Sequence, residues 1–218
     1  MGTQLKNILF ILMMVPVCQS CSDKPSQRFT RLEADRTNIH FSNTLKESET
    51  ANVLNYAYFY NGGGVAIGDI NNDGLPDILF TGNMVPNRLY LNKGNFEFED
   101  ITERSGIASK QGWCTGATMA DVNGDGRLDI YICRSADMNP DKRKNLLFIN
   151  NGDLSFTEEA ERYGIADPGY STQAAFFDYD KDGDLDLVLV NHSLQEYARG
   201  GGYEVAGLRK QQRPEFAN

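Results

Sequence analysis

The residues best placed to do chemistry in this chain are aspartates that recur at every second position. Three nine-residue stretches carry them: Asp69-Ile-Asn-Asn-Asp-Gly-Leu-Pro-Asp77, Asp121-Val-Asn-Gly-Asp-Gly-Arg-Leu-Asp129 and Asp178-Tyr-Asp-Lys-Asp-Gly-Asp-Leu-Asp186. The first, third, fifth and ninth positions always carry a carboxylate or amide oxygen: Asp69, Asn71, Asp73 and Asp77; Asp121, Asn123, Asp125 and Asp129; Asp178, Asp180, Asp182 and Asp186. The seventh is Leu75, Arg127 or Asp184, so only its backbone carbonyl is common to all three. The sixth is Gly74, Gly126 or Gly183, which allows the sharp turn needed to wrap the chain round an ion. The three windows hold eleven aspartates against two basic residues, Arg127 and Lys181. Acid packed this densely repels itself unless a cation sits within it. Hard oxygen donors without His or Cys select calcium over zinc or copper. The expected cofactor is therefore calcium at three sites, one per stretch. A lone Asp-Asn-Gly cluster reads equally as a solvated turn, but three copies in register favour the ion.

An EF-hand begins alike, yet needs a bidentate Glu at its twelfth position and helices on both sides. Here the twelfth residues are Phe80, Ile132 and Leu189, each inside an apolar, β-rich run. The last ligand moves to the ninth position, and the stretches become loops that join paired strands.

The elements that must hold these loops repeat as well. Gly64-Val-Ala-Ile-Gly, Ala117-Thr-Met-Ala and Ala174-Ala-Phe-Phe lead into the loops, and Ile-Leu-Phe, Ile-Tyr-Ile and Leu-Val-Leu-Val lead out. Between loops, Asn87–Ile107 matches Asn145–Ile165, each reading as strand, Asn-Lys-Gly or Asn-Asn-Gly turn, and strand. One repeat thus holds four short antiparallel strands, the pattern of a β-propeller blade. Phe29–Ile39 reads like the end of a repeat, so a ring-closing outer strand is expected within the segment 29–60. Blades follow at 61–110 and 111–167, with a partial blade at 168–218. Its third strand is expected only near Asn218, after a Gly-rich loop at 192–213. On this count the chain reads as the N-terminal fragment of a longer protein. With 133 placed opposite about 117, Cys114 and Cys133 are expected as buried free thiols rather than a disulfide.

Lys6 precedes the apolar run Ile8–Val15, followed by Cys18 and Cys21. The run is too short to span a bilayer and has the layout of an export signal. It resembles a bacterial lipoprotein signal over residues 1–21, with Cys21 lipidated and a polar tether at 22–28. Plain secretion and a retained anchor are the alternatives. The expected location is the outer membrane or cell surface, with membrane contact through the lipid anchor only. A net charge of −9 excludes a nucleic-acid partner, which needs a basic face to meet phosphates.

The loops, together with Asn-x-Leu-Tyr-x-Asn-x-Gly and Phe-x-Asp-x-Thr-x-x-x-Gly-Ile between them, resemble FG-GAP/VCBS repeats, the blades of the integrin alpha-chain propeller. The likeness extends to bacterial members related to cartilage acidic protein, which often end in an ASPIC/UnbV domain. It implies an all-β fold, about two and a half blades of an expected seven-bladed propeller, with calcium at the loop positions named above.

The function expected is a binding or adhesion module for a glycan or protein. The alternatives are a structural spacer, or the propeller scaffold of a secreted hydrolase or lyase whose catalytic part lies beyond Asn218. His40, His192, Glu196 and Tyr197 form no recognisable catalytic set, and no nucleophile, metalloprotease or phosphate-loop motif is present. Non-enzymatic function is the expectation. Tyr58, Phe59, Tyr60 and Trp113 read as blade core in preference to a sugar platform. The basic stretch 192–213 reads as disorder or as a partner-binding loop.

Overall fold

Each acidic loop turns one β-strand back on the next. The computed structural model describes residues 29–110, 112–192 and 209–211, with Ser109 and 209–211 described by backbone alone. Residues 1–28, where an export signal with Cys18 and Cys21 and a tether are expected, and Glu196, Tyr197 and most of the 192–213 stretch lie outside the described residues. The backbone clusters into Met1–Leu32 and Glu33–Asn218. In the first unit, residues 29–32 form no regular element.

In the second unit, β1 (Val65–Gly68), β2 (Asp77–Phe80), β3 (Arg88–Asn92) and β4 (Phe98–Asp100) form one antiparallel sheet in sequence order. A second sheet repeats the plan with β5 (Cys114–Ala120), β6 (Asp129–Arg134), β7 (Leu146–Asn150) and β8 (Phe156–Glu158). A third holds β9 (Ser171–Phe177), β10 (Asp186–Asn191) and β11 (Arg209–Gln211). The helices are single turns: α1 (Ala34–Thr37), α2 (Thr102–Ser105) and α3 (Pro140–Arg143). The fold is all-β and propeller-like. No helix among the described residues is long and apolar enough to cross a membrane.

Burial follows from how many sheets each strand faces. Leu79, Leu89 and Leu91 of the first sheet pack on Ile130, Ile132, Leu146 and Phe148 of the second. The other face of the second sheet, Tyr131, Cys133 and Leu147, packs on Ala174, Leu187 and Leu189 of the third. β6 is therefore buried at every residue, as a strand between two cores must be. β10 is as apolar in sequence, but only alternate residues are covered, and Val190 is 47% exposed. The outer face of the first sheet is met by an extended segment in which Ile39, Phe41, Asn43 and Leu45 are part-buried and the residues between them exposed. Phe41 stacks on Phe80 with ring centroids 5.1 Å apart.

Residues 29–33, at the start of Phe29–Ile39, carry no strand in this structure, and the single turn α1 follows them, closed by Asn38 at φ 59° where the full repeats use Gly106 at 78° and Gly164 at 69°. Two expectations need correction. In the β5–β6 hairpin Ala117 pairs with Ile132, not Cys133, because a bulge lies between Cys114 and Ala117. Both thiols are nevertheless free and buried, Cys114 in the first core and Cys133 in the second. Last, the third strand of the third sheet lies at Arg209–Gln211, inside the stretch expected as a loop.

The bulge has a cause. At Gly116 an added Cβ would lie 1.8 Å from Gln173 Oε1 and 2.4 Å from the Thr172 carbonyl; at Gly64 it would lie 2.6 Å from the Thr115 carbonyl. The first strands of the three sheets approach each other here, and only glycine leaves room.

Candidate functional site

The acidic loops occupy the β1–β2, β5–β6 and β9–β10 turns. Each is wound inward on its first aspartate. Asp69 accepts from the Asp73 and Gly74 N–H groups at 3.1 and 2.7 Å. Asp121 accepts from Gly124, Asp125 and Gly126 at 2.8, 3.1 and 2.8 Å. Asp178 accepts from Gly183 at 3.2 Å. The sixth-position glycines have φ of 84°, 83° and 94°. The fourth position is left-handed too, at Asn72 (58°), Gly124 (73°) and Lys181 (64°), which residue type did not reveal.

The ninth-position aspartates do a different job. Asp77 and Asp129 open β2 and β6 and are almost wholly buried, at 0% and 1% exposure. The Asp77 carboxylate accepts from Ile70 and Asn92 N–H at 2.9 and 2.8 Å; that of Asp129 accepts from Val122 and Asn150 N–H at 3.0 and 2.8 Å. Each ties its own loop to the third strand of its sheet. Burial pushes both carboxyls above the usual range against these hydrogen bonds, and the neighbouring acids, Asp73 with Asp69 and Asp125 with Asp121, add to the rise.

In the third loop, oxygens of Asp178, Asp180 and Asp186 all lie within 4.8 Å of one another. Calcium–oxygen bonds run roughly 2.3–2.6 Å, so a single ion can bridge donors at that separation. Asp182 is held below the usual carboxylate range, chiefly by the Asp184 N–H. In the first two loops the third-position amide donates to the fifth-position carboxylate, Asn71 to Asp73 at 2.9 Å and Asn123 to Asp125 at 3.0 Å. The second loop has a further occupant. Arg127 donates from Nη2 to Asp125 Oδ2 at 2.6 Å and from Nε to the Asn150 carbonyl at 3.3 Å. The donor chemistry suits a hard divalent cation in all three loops, with the second already partly neutralised.

Two asparagines were read from the sequence only as turn formers. Asn92 Nδ2 donates to the Pro76 carbonyl at 2.8 Å, within one sheet. Asn150 Nδ2 donates to the Leu128 carbonyl at 3.1 Å and also to the Ile70 carbonyl of the preceding sheet's loop at 2.8 Å, while its Oδ1 accepts from Gly152 N–H at 2.9 Å. Asn72 makes a second bridge between loops, donating to the Gly126 carbonyl at 2.9 Å. Asn150→Ala leaves these buried groups unpaired and is expected to cost about 2–4 kcal/mol in urea unfolding, against about 1 for the more exposed Asn92→Ala. Equal losses would show that the link between sheets contributes nothing.

At the opposite end of the strands lies an aromatic group. Phe59 is core at 1% exposure, while Tyr60 is 61% exposed and donates to Glu47, so the four aromatics do not share one role. His192 Nε2 lies 3.1 Å from both Tyr56 OH and Ser135 Oγ and is ringed by Tyr56, Tyr58 and Tyr170. Ser135 is fully buried, and His40 stands exposed on the outer segment.

Sheets of this plan, each opened by an acidic strand-joining loop, match the FG-GAP-like repeat over residues 69–132 and 135–189, more than half of the sequence. The chain belongs to the FG-GAP-like repeat family. It is 30% identical over 162 residues to cartilage acidic protein 1 of Xenopus tropicalis, covering 73% of this chain and 24% of that protein. The mouse protein of that name is 29% identical over 135 residues, 60% of this chain and 20% of its own. A T-cell immunomodulatory protein homolog of Plasmodium yoelii yoelii is 25% identical over 187 residues, 74% of this chain and 25% of its own. The chain spans about a quarter of the length of these relatives or less.

Proposed function

We propose that this FG-GAP-like repeat chain is a calcium-pinned binding or adhesion module of an exported, lipid-anchored envelope protein, with a glycan or a protein as its partner. The observation that carries the metal reading is the convergence of Asp178, Asp180 and Asp186 oxygens on one point in a loop with no internal base able to neutralise them all. The ligands proposed are Asp69, Asn71, Asp73, Leu75 and Asp77; Asp121, Asn123, Asp125, Arg127 and Asp129; Asp178, Asp180, Asp182, Asp184 and Asp186. Leu75, Arg127 and Asp184 would contribute backbone carbonyls. When bound, the ion supplies the positive charge that the loops lack and so holds each turn closed. The binding role is supported by repeats that form a rigid scaffold with open loop ends, and by the family to which the chain belongs. The lipid anchor rests on the Cys21 signal, and palmitate labelling that persists in Cys21→Ala would refute it.

Calorimetric calcium titration tests the metal reading. Three sites are expected, the third loop tightest because it carries five carboxylates and the second weakest because Arg127 competes. Arg127 is partly exposed, so its repulsion of a divalent ion is worth about 2 kcal/mol, near the aqueous limit for a single and a double charge ~4 Å apart. Arg127→Leu should therefore tighten one site roughly thirtyfold and leave the other two unchanged. A flat isotherm for the unmodified chain would remove the calcium reading altogether.

A further inference from the structure

We infer that the groove around Trp113 binds an uncharged carbohydrate; the inference rests on the reading of the chain as a binding module and gives that module a site and a ligand class. Two cavities, of about 270 and 500 Å³, adjoin at the strand ends away from the acidic loops, and Tyr56 and Trp113 line both. Together they fall within the range of about 300–1,000 Å³ usual for small-ligand sites.

The chemistry of the lining selects the ligand. The smaller cavity presents Tyr58, Asn61, Thr115, Thr172 and Gln173 beside the two shared rings, with no charged side chain among the described residues. The larger presents Phe59, Met84 and Met138. The one charged group lining it among the described residues, Asp137, accepts from Asn139 N–H at 2.9 Å and has Lys142 Nζ at 3.9 Å. In a chain of net charge −9, this groove is close to neutral. An anion or a cation enclosed there would lack a full counter-charge, and a wholly apolar ligand would cover the Asn61 and Gln173 amides without pairing them. A neutral sugar meets both demands. Its C–H faces stack on the rings, and its hydroxyls pair with the two amides and donate to the Thr115 and Thr172 oxygens, whose own protons go to the Ser171 and Val190 carbonyls at 2.7 and 3.0 Å.

The groove is also built in advance of any ligand. Tyr56 OH donates to Ser135 Oγ at 3.0 Å, and its ring meets Trp113 edge-on at 5.4 Å. Phe59 backs Trp113 at 5.2 Å, and the Trp113 carbonyl accepts from Ser135 N–H at 2.9 Å. Ala136, on the wall, is held at φ 62° while Asp137 N–H bonds back to the Ser135 carbonyl at 2.8 Å. A left-handed alanine in so tight a turn is strained and persists because its surroundings impose it. The Gln173 side-chain oxygen lies 1.8 Å from where a Cβ at position 116 would stand, so glycine there leaves it room beside the cavity.

Trp113 is the chain's only tryptophan, so fluorescence excited at the red edge, where tyrosine does not absorb, reports on this groove alone. The full chain is titrated with cellotetraose, maltotetraose, mannotetraose and xylotetraose, and with tetragalacturonate and tetralysine as charged probes. At least one neutral tetrasaccharide should shift Trp113 emission saturably. Gln173→Ala, at an exposed position, should weaken that binding at least tenfold without altering the melting temperature. Trp113→Phe should weaken it several-fold by calorimetry. The inference is overturned if no neutral sugar binds, if a charged probe binds as tightly, or if Gln173→Ala leaves the affinity unchanged. Protein capture elsewhere on the chain without any sugar response would overturn the inference yet leave the binding-module reading standing.

Discussion

Chelation with EDTA is expected to lower the melting temperature by roughly 5–10 °C for each site emptied, and magnesium should not restore it. The size follows from linkage. A site held at a free calcium concentration about 100-fold above its Kd adds about 2.7 kcal/mol to folding. A domain of this length shifts by roughly 2–4 °C per kcal/mol. The direction follows from the loops themselves. Burial raises the carboxyls of Asp77 and Asp129 most, and the like charges of Asp73 with Asp69, and of Asp125 with Asp121, raise them further. Without an ion, that repulsion works to open the turn. With an ion it becomes attraction, and the backbone, already wound on Asp69, Asp121 and Asp178, has little ordering left to do. Magnesium demands a tighter octahedron and gives up water reluctantly, so it substitutes poorly in a loop with so many protein oxygens. An EDTA melting curve that overlies the calcium curve would end the metal reading.

What could be read in advance was whatever depends on neighbours in sequence. The ninth-position aspartate identified a strand-joining loop because spacing alone excludes an EF-hand, and β2, β6 and β10 begin at those residues. The glycines at the sixth position were legible because one backbone conformation demands them. What escaped was decided by contacts between sheets. Asn150 looks like any Asn-x-Gly turn residue until its amide is seen to reach the Ile70 carbonyl 80 positions away. The bulge at Cys114–Ala117 depends on how closely β5 approaches β9, which no property of the β5–β6 hairpin records. Run length likewise says nothing of whether a second sheet lies behind a strand, and so β6 and β10 read alike while only one is buried throughout. The aromatics of 56–60 divided for the same reason: Phe59 meets Trp113 from beneath, and Tyr60 faces solvent.

Within a single loop, the fifth and ninth aspartates should separate into two classes. Asp73→Ala removes an exposed carboxylate whose partners are its own loop's Leu75 N–H and Asn71 amide. In EDTA this variant should unfold like the unmodified chain or slightly later, because repulsion on Asp69 and Asp77 falls; with calcium present it should lose one site's increment. Asp77→Ala removes a carboxylate with no exposed surface and leaves the Ile70 and Asn92 N–H groups without acceptors at the root of β2. Two buried donors stranded in this way cost about 1–3 kcal/mol each. Relief of a buried charge offsets part of that loss, so a deficit of about 2–4 kcal/mol is expected in EDTA, with the calcium increment lost as well. Urea unfolding of both variants, with and without calcium, gives the four numbers needed. If Asp77→Ala matches the unmodified chain in EDTA, the buried aspartate is a ligand and nothing more. If Asp73→Ala loses as much as Asp77→Ala in EDTA, the loop folds as one hydrogen-bonded unit. The expected split instead makes the ninth aspartate the joint between the loop and the sheet, present before any ion arrives, and the fifth a group whose value to the fold comes from the ion it holds.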